Sequence, residues 1–396
     1  MGDAMALPAS LFKTFIVSGI SLAMVCPVPV KAIMLQASGS GHVGAVNVVA
    51  MATLPPGNAA QIVTTLPVEG VVVDATLVGG LSGIDYDPQT GEWVVISDDP
   101  SLNAPARYYR LDLDYDSDGI EEIDITSVRT LLQENGEPYP NARTGGNVPD
   151  LESIRFDPQS DALWYASEGS HAAGIDPFVA MTEPDGHLTA SHTPPMMTMS
   201  PGNEQGPREN LALEGLCFSA DGETLWVAME GPLYQDGEPS TIETTSVSRL
   251  THIDRGGAVL AQYAYEIDSL PEMALGSSTI GISEILAVSG DSFLVLERAS
   301  FEYPVPITYR VRIYEASIAG AADISSIASL RGASFTPASK RLVLDLGASG
   351  LDGVGNVEGI TWGPDFENGN RSLVLVSDNN FRDAYPTQVI VLEVDS

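Results

Sequence analysis

The chain has 396 residues, enough for two ordinary domains or one large all-β architecture. Its 53 acidic and 18 basic residues leave a net charge of −35, which argues against nucleic acid and anionic lipid surfaces as partners, since both are met by a cationic face. With 44% hydrophobic residues in short alternating runs, 38 glycines and 27 prolines, the pattern excludes a disordered chain and predicts many strands joined by turns.

At the N-terminus, Lys13 precedes the apolar run TFIVSGISLAMVC (14–26), and Pro27, Pro29 and Val30-Lys31-Ala32 follow it. This reads as a secretory signal over 1–32, cut after Ala32, and the run is too short to span a bilayer comfortably. Met24 and Val25 are poor neighbours for lipid attachment at Cys26. Residues 33–62 read as a linker, and the product is expected in the periplasm or outside the cell. Cleavage would leave Cys217 without a disulfide partner, most simply as a small core residue in LEGLCFS. Only three lysines occur (Lys13, Lys31, Lys340), so the mature surface carries one. Such a surface attracts divalent cations and repels anionic substrates, with general salt adaptation as the competing explanation.

Self-similarity appears next. GLSGIDYDPQTGEWVVISDD (80–99), DLESIRFDPQSDALWYASEG (150–169) and ALEGLCFSADGETLWVAMEG (212–231) share one plan. GISEILAVSGDSFLVLERAS (281–300) and NVEGITWGPDFENGNRSLVLVSDNN (356–380) are looser copies. Each reads as a β-hairpin with a Gly/Asp/Pro turn. The lead positions Ser82, Glu152, Glu214, Glu284 and Glu358 recur at intervals of 70, 62, 70 and 74 residues. The intervals hold further strand candidates, such as RYYRLDLDY and IEEIDITSV after the first hairpin. Four antiparallel strands at a near-constant period describe a β-propeller blade, so the fold class is an all-β propeller with five visible blades. A sixth, degenerate blade in 33–75 is the alternative count. The last copy has one strand too few, and TTLPVEGVVVDATL (63–76) is expected to close the ring, giving one propeller domain over 63–396.

The hairpins also bring acids together. Counting from each turn pairs Ser82 with Asp98, Glu152 with Glu168, Glu214 with Glu230, Glu284 with Glu297 and Glu358 with Asp378. Each lead residue ends an apolar stripe such as Glu214, Leu216 and Phe218. Propeller symmetry gathers these open ends around one mouth of the central channel. Opposed, partly desolvated carboxylates repel and cannot all stay ionised without a compensating cation. Arg298 follows Glu297, and Arg155 and Arg208 flank the second and third copies. Ca²⁺ with oxygen ligands fits the remainder, with Asp98, Glu152, Glu168, Glu284, Glu297, Glu358 and Asp378 as candidate ligands. Capping of strand ends is the competing role for any single acid. Separately, Asp114, Asp116 and Asp118 with Gly119 have the D-x-D-x-D-G spacing of a calcium loop, although Ile125 stands at its twelfth position. Their alternative is an ordinary solvated hairpin turn.

The five histidines lie outside the hairpins, and no G-x-S-x-G elbow, P-loop, dinucleotide fingerprint or paired-cysteine metal site occurs. Taken in order, GGLSGIDYDP…VISDD, DLESIRFDP…ASEG, LEGLCFSADG…AMEG, ISEILAVSGDSFLVLER and NVEGITWGPD…VSDNN resemble the phytase-like domain family, also called esterase-like activity of phytase. The resemblance covers roughly 75–396 and implies an exported propeller that hydrolyses phosphoesters or carboxylic esters. Two functions follow as expectations. The first is a monomeric, Ca²⁺-dependent hydrolase of a small ester or phosphoester. In it Glu214 or Glu230 is the base, Arg298 holds the anionic group, and Arg155, Arg208 and Asn379 contact substrate. The second is a non-catalytic module binding calcium and a ligand. Lactone or sugar-ester hydrolysis is a weaker third, by fold analogy alone.

Overall fold

Apolar residues at every second position, interrupted by Asp-Pro, Asp-Gly and Gly turns, become strands that bury one face or both. The computed structural model describes residues 43–53, 61–65, 72–270, 278–301, 307–351, 353–382, 384–385 and 387–395. The leader expected over 1–32, with Cys26, lies outside them.

Five four-stranded antiparallel sheets form the blades of a propeller. Blade 1 is Leu81–Asp87, Glu92–Ser97, Arg107–Asp116 and Gly119–Thr130. Blade 2 is Leu151–Phe156, Leu163–Ser167, Phe178–Thr182 and Leu188–His192, and blade 3 is Leu213–Phe218, Leu225–Met229, Ser246–Ile253 and Val259–Ile267. Blade 4 is Ser278–Ala287, Ser292–Phe301, Thr308–Ser317 and Ser339–Asp345. Blade 5 contributes Asn356–Trp362, Arg371–Asp378 and Gln388–Val394, and Val46–Thr53 pairs with the last of these as its outer strand.

An N-terminal strand therefore closes the ring, but it is not 63–76. That stretch falls in a separate two-stranded sheet of Gln61–Thr65 with Val72–Leu77. Val46–Thr53 takes the place by pairing with Gln388–Val394, with Val46, Val48 and Ala50 buried while Asn47 and Val49 are half-exposed. Val43, Val46 and Val48 complete the core between blades 4 and 5. Similar apolar layers fill the other four gaps between blades.

The first strand of each blade lines the axis and touches its counterparts on both sides, blade 5 meeting blade 1. Glycine permits the closest approach. A Cβ on Gly83 would lie 2.8 Å from the Ser153 Cα and 2.9 Å from the Ile154 nitrogen, both backbone atoms of the next blade. Gly83→Ala is expected to lower stability by about 1–3 kcal/mol, the usual range for overpacking, read as a shifted midpoint in urea unfolding. An unmoved midpoint would mean that the inner strands can part without penalty.

Arg155 pins the centre of this ring. Its Nε donates to the Leu216 carbonyl at 2.7 Å, and its Nη1 to those of Ile84 and Ile154 at 2.6 and 3.0 Å. Its Nη2 reaches the Ile285 and Ile360 carbonyls, each at 3.3 Å, and the Glu284 carboxylate at 2.8 Å. Ile84, Ile154, Leu216, Ile285 and Ile360 occupy one repeat position, so a single guanidinium engages a carbonyl from every blade. Arg155 and Glu284 are both buried.

The D-x-D-x-D-G segment is the hairpin turn of blade 1. Asp114 stands opposite Glu122 within the ladder, and the Asp116 carboxylate accepts from the Asp118 and Gly119 amides at 2.7 and 3.2 Å. The next strand starts at Gly119, so the residues that would complete a twelve-residue loop are already paired in the sheet. Among the described residues, no helix is long and apolar enough to cross a membrane.

Candidate functional site

A β-bulge recurs at one place in all five inner hairpins. The register slips between Leu81 and Gly83, Leu151 and Ser153, Leu213 and Gly215, Ile282 and Glu284, and Val357 and Gly359. The residue skipped is Ser82, Glu152, Glu214, Ser283 or Glu358. A bulge leaves its extra residue unpaired and re-aims the side chain, and here it turns each lead acid toward the axis.

The slip changes which residues face each other. The Asp98, Glu168 and Glu230 amides donate to the carbonyls of Gly80, Asp150 and Ala212 at 2.8, 2.9 and 2.7 Å. Arg298 is opposite Gly281, and Asp378 is opposite Asn356. The expected direct pairing of lead acid with second-strand acid is thereby corrected: Glu152 has no ladder partner, and Asp150 faces Glu168. In blade 4 the motif is I-S-E-I, with Ser283 as the lead residue and Glu284 at the small-residue position of the other blades. Arg298, not Glu297, stands where the other four blades place an acid.

These residues enclose a cavity of about 280 Å³ at one mouth of the channel. Its walls carry Asp98 from blade 1; Asp150, Glu152 and Glu168 from blade 2; Glu214 and Glu230 from blade 3; and Glu358 and Asp378 from blade 5. Arg298 is the only basic side chain among its lining residues, and its Nη2 lies 3.1 Å from Glu230 and 3.5 Å from Glu358. The Asn356 amide nitrogen donates to Glu358 at 2.7 Å and to Asp378 at 3.3 Å. Gly281 makes room beside them, since a Cβ there would lie 2.3 Å from the Glu230 Cγ.

Burial and mutual repulsion hold these acids away from ionisation. Burial raises Glu152 well above the carboxylate range, and Glu214, Asp150, Glu168 and Glu358 add to the shift. Glu168, Glu214 and Asp98 are raised in the same way, each by burial first and neighbouring acids second. Asp150 is lifted to about 7 by burial, reinforced by Glu209, Glu358 and Asp99. Burial also lifts Asp378 to about 7, with Glu358 adding to it. In Glu230 burial outweighs the Arg298 charge and leaves it at about 7, with a hydrogen bond to Glu214. Arg298 is itself held above the ordinary guanidinium range, because Glu230, Glu358 and Glu214 together outweigh the burial that opposes its charge.

The donor set fits a hard divalent cation. Oxygens of Asp150, Glu152 and Glu168 all lie within 4.8 Å of one another. Oxygens that close can be shared by one cation, as calcium's carboxylate sites require.

The remaining predicted residues lie elsewhere. Glu284 is held beneath the mouth by Arg155, by the Ser153 hydroxyl at 2.6 Å and by the Leu216 amide at 2.9 Å. Glu297 accepts from Tyr265 at 2.7 Å and pairs with Lys340, which also meets Asp268. Arg155 is the axial pin, so it is buried away from the cavity. Arg208 donates to the Gly237 carbonyl at 2.7 Å and lies over the Tyr234 ring. The Asn379 side-chain oxygen accepts from the Gly80 and Phe381 amides, tying blade 5 to blade 1. Cys217 is buried and unbridged, its thiol pushed up to about 12 by desolvation. Sequence reasoning missed Asp150, Asn356 and Tyr309 as lining residues. The first two were visible as the residue two before the lead acid, in D-L-E and N-V-E.

A comparison with protein families matches residues 76–381 to the one described as phytase-like, esterase-like activity of phytase. No curated protein matches. Among solved structures, an endo-arabinase from Bacteroides thetaiotaomicron is similar at a TM-score of 0.42 and 9% identity, with 86% of this chain and 96% of that one covered. A putative oxidoreductase (glucose dehydrogenase) from Thermus thermophilus is similar at a TM-score of 0.36 and 12% identity, with 92% and 99% covered.

Proposed function

The chain belongs to the phytase-like family, and on that premise we propose that the acidic mouth is the site of a Ca²⁺-dependent hydrolase of esters or phosphoesters in an exported protein. One observation carries the reading: eight carboxylates and one arginine converge on a single cavity of about 280 Å³. So many buried acids need compensating charge, and a cation bound there places that charge where an ester can approach.

Asp150, Glu152 and Glu168 are the residues that would hold Ca²⁺, whose charge would also offset the repulsion from Glu214, Glu358, Asp98 and Asp378 nearby. When bound, the ion supplies the positive charge that polarises an ester or phosphoryl oxygen. Glu230, held at about 7, is suited to take a proton from an attacking water near neutral pH. Glu214, hydrogen-bonded to it, shares the proton load. Arg298 holds the oxygen that gains negative charge.

The test is a panel of carboxylic esters and phosphoesters assayed in EDTA and after adding back Ca²⁺, beside metal analysis of the purified protein. Turnover lost in EDTA and restored by calcium is the expected result. No turnover of any ester with calcium bound would overturn the hydrolase and leave a calcium-binding module. Charge predicts the ranking within the panel. The anionic mouth repels polyanions over about 8–10 Å at physiological salt, so a neutral or singly charged ester should outrun phytate at low calcium. Added monovalent salt should help the anionic substrates and leave the neutral ones unchanged. Rapid phytate hydrolysis in low salt and micromolar calcium would contradict this ranking.

A further inference from the structure

Blade 4 is built differently from the other four where it meets the mouth. Its first three strands, Ser278–Ala287, Ser292–Phe301 and Thr308–Ser317, each have ten residues. The first strand of every other blade has six or seven. The excess lies on the mouth side of the bulge. Thr279 pairs with Ser300, and Ser300 pairs with Tyr309 on the third strand. Directly paired residues share a face of the sheet, so these three hydroxyls form one row. Ser300 is two residues from Arg298, on the same face and about 7 Å higher.

Thr279, Ser300, Tyr309 and Arg298 all line the cavity, and among the described residues blade 4 adds no carboxylate to it. The mouth is thus divided: four blades present acids, and the fifth presents hydrogen-bond donors. The Arg298 Nε–H is buried and has no hydrogen-bond partner among the described residues. Burial raises Tyr309 to about 12, which keeps its hydroxyl proton in place as a donor.

We propose that the Thr279–Ser300–Tyr309 row, standing above Arg298, anchors one tetrahedral oxyanion of the substrate, as in a phosphate monoester carrying a single such group. The inference rests on the mouth being the site of reaction. Donors reach that oxyanion from two directions, hydroxyls from the wall and Nε–H from below, as its spread of oxygens requires. Acids from the other four blades line the rest of the mouth and reject a second such group. A singly phosphorylated substrate is therefore selected over a densely phosphorylated one.

The probe is inorganic phosphate, titrated calorimetrically in saturating Ca²⁺ into the wild type and into a Ser300→Ala, Tyr309→Phe double variant. Losing two neutral hydrogen bonds should weaken phosphate about five- to tenfold or more, with calcium affinity and Tm unchanged. In turnover, KM for a phosphate monoester should rise by a similar factor while kinetics on a neutral ester stay the same. Thr279 is exposed, so Thr279→Val repeats the test should the double variant fold poorly. Equal phosphate affinity in wild type and variants, or no phosphate binding by the wild type, overturns the wall. Phosphate binding that falls in the variants, in a protein that turns over no ester, supports the wall while removing the hydrolase reading.

Discussion

Arg155→Met should be among the most damaging single substitutions in the chain, because it removes the charge that Glu284 faces and the donors that five blades share. Glu284 is fully buried and already raised to about 7 by desolvation, with Arg155 as the leading opposing influence. Breaking such a pair from one side typically costs about 3–5 kcal/mol. Each buried carbonyl left without a donor adds about 1–3 kcal/mol where no water replaces the guanidinium. A marginally stable domain of this kind has about 5–15 kcal/mol in all, so the variant should lose most of its cooperative unfolding transition or fail to accumulate folded. Arg155→Lys should be nearly as harmful, since an ammonium has three donors on one atom and cannot span carbonyls arranged around an axis. Adding Glu284→Leu to Arg155→Met should recover the part of the loss owed to the stranded carboxylate, so the double-mutant cycle should show a coupling of at least about 1 kcal/mol. A loss below about 1 kcal/mol for Arg155→Met in urea unfolding would show that the pin is dispensable.

The same pair marks what could be read from the sequence and what could not. Blade order and the gathering of acids at one mouth followed from the repeat itself, because four strands at a fixed period have few other packings, while the choice of five blades over six came from the fold. The bulge was invisible. It adds one residue to one strand without changing the hydrophobic alternation on either side, so counting from the turn paired Glu152 with Glu168 where the fold pairs Asp150 with Glu168. The error was largest in blade 4. There Glu284 looked like a lead acid because only its neighbour Ser283 betrays the offset, and Ser82 in blade 1 was the clue that serine can hold that place. Arg155 read as a flanking cation because nothing in one strand reveals that five carbonyls converge on it. The closing strand was missed for a related reason: Val46–Thr53 and 63–76 are both apolar and β-branched, and long-range pairing with Gln388–Val394 decides between them.

The crowding at the mouth should make stability depend on pH in a direction opposite to that of most acidic proteins. Asp150, Glu230 and Asp378 sit at about 7, against about 4 in an unfolded chain. Between those values the native protein holds protons that the unfolded chain has released, so in EDTA stability should fall as pH rises from about 4 to 7, with the full penalty present above the folded pKa. A single carboxyl moved from about 4 to about 7 accounts for about 4 kcal/mol at pH 8. Calcium should oppose the trend, because it binds the ionised ring and stabilises the folded state by about 2.7 kcal/mol at a hundred times its Kd. Glu152→Gln tests both halves at once. Removing one acid relieves repulsion, so the variant should melt higher than wild type in EDTA at pH 8 and gain less from calcium, with the two proteins converging near pH 4. Glu214→Gln should behave alike, since its carboxyl is raised by the same neighbours. Full calcium affinity in either variant, or a wild-type Tm in EDTA that climbs from pH 4 to 7, would mean that the ring caps strands and holds no ion.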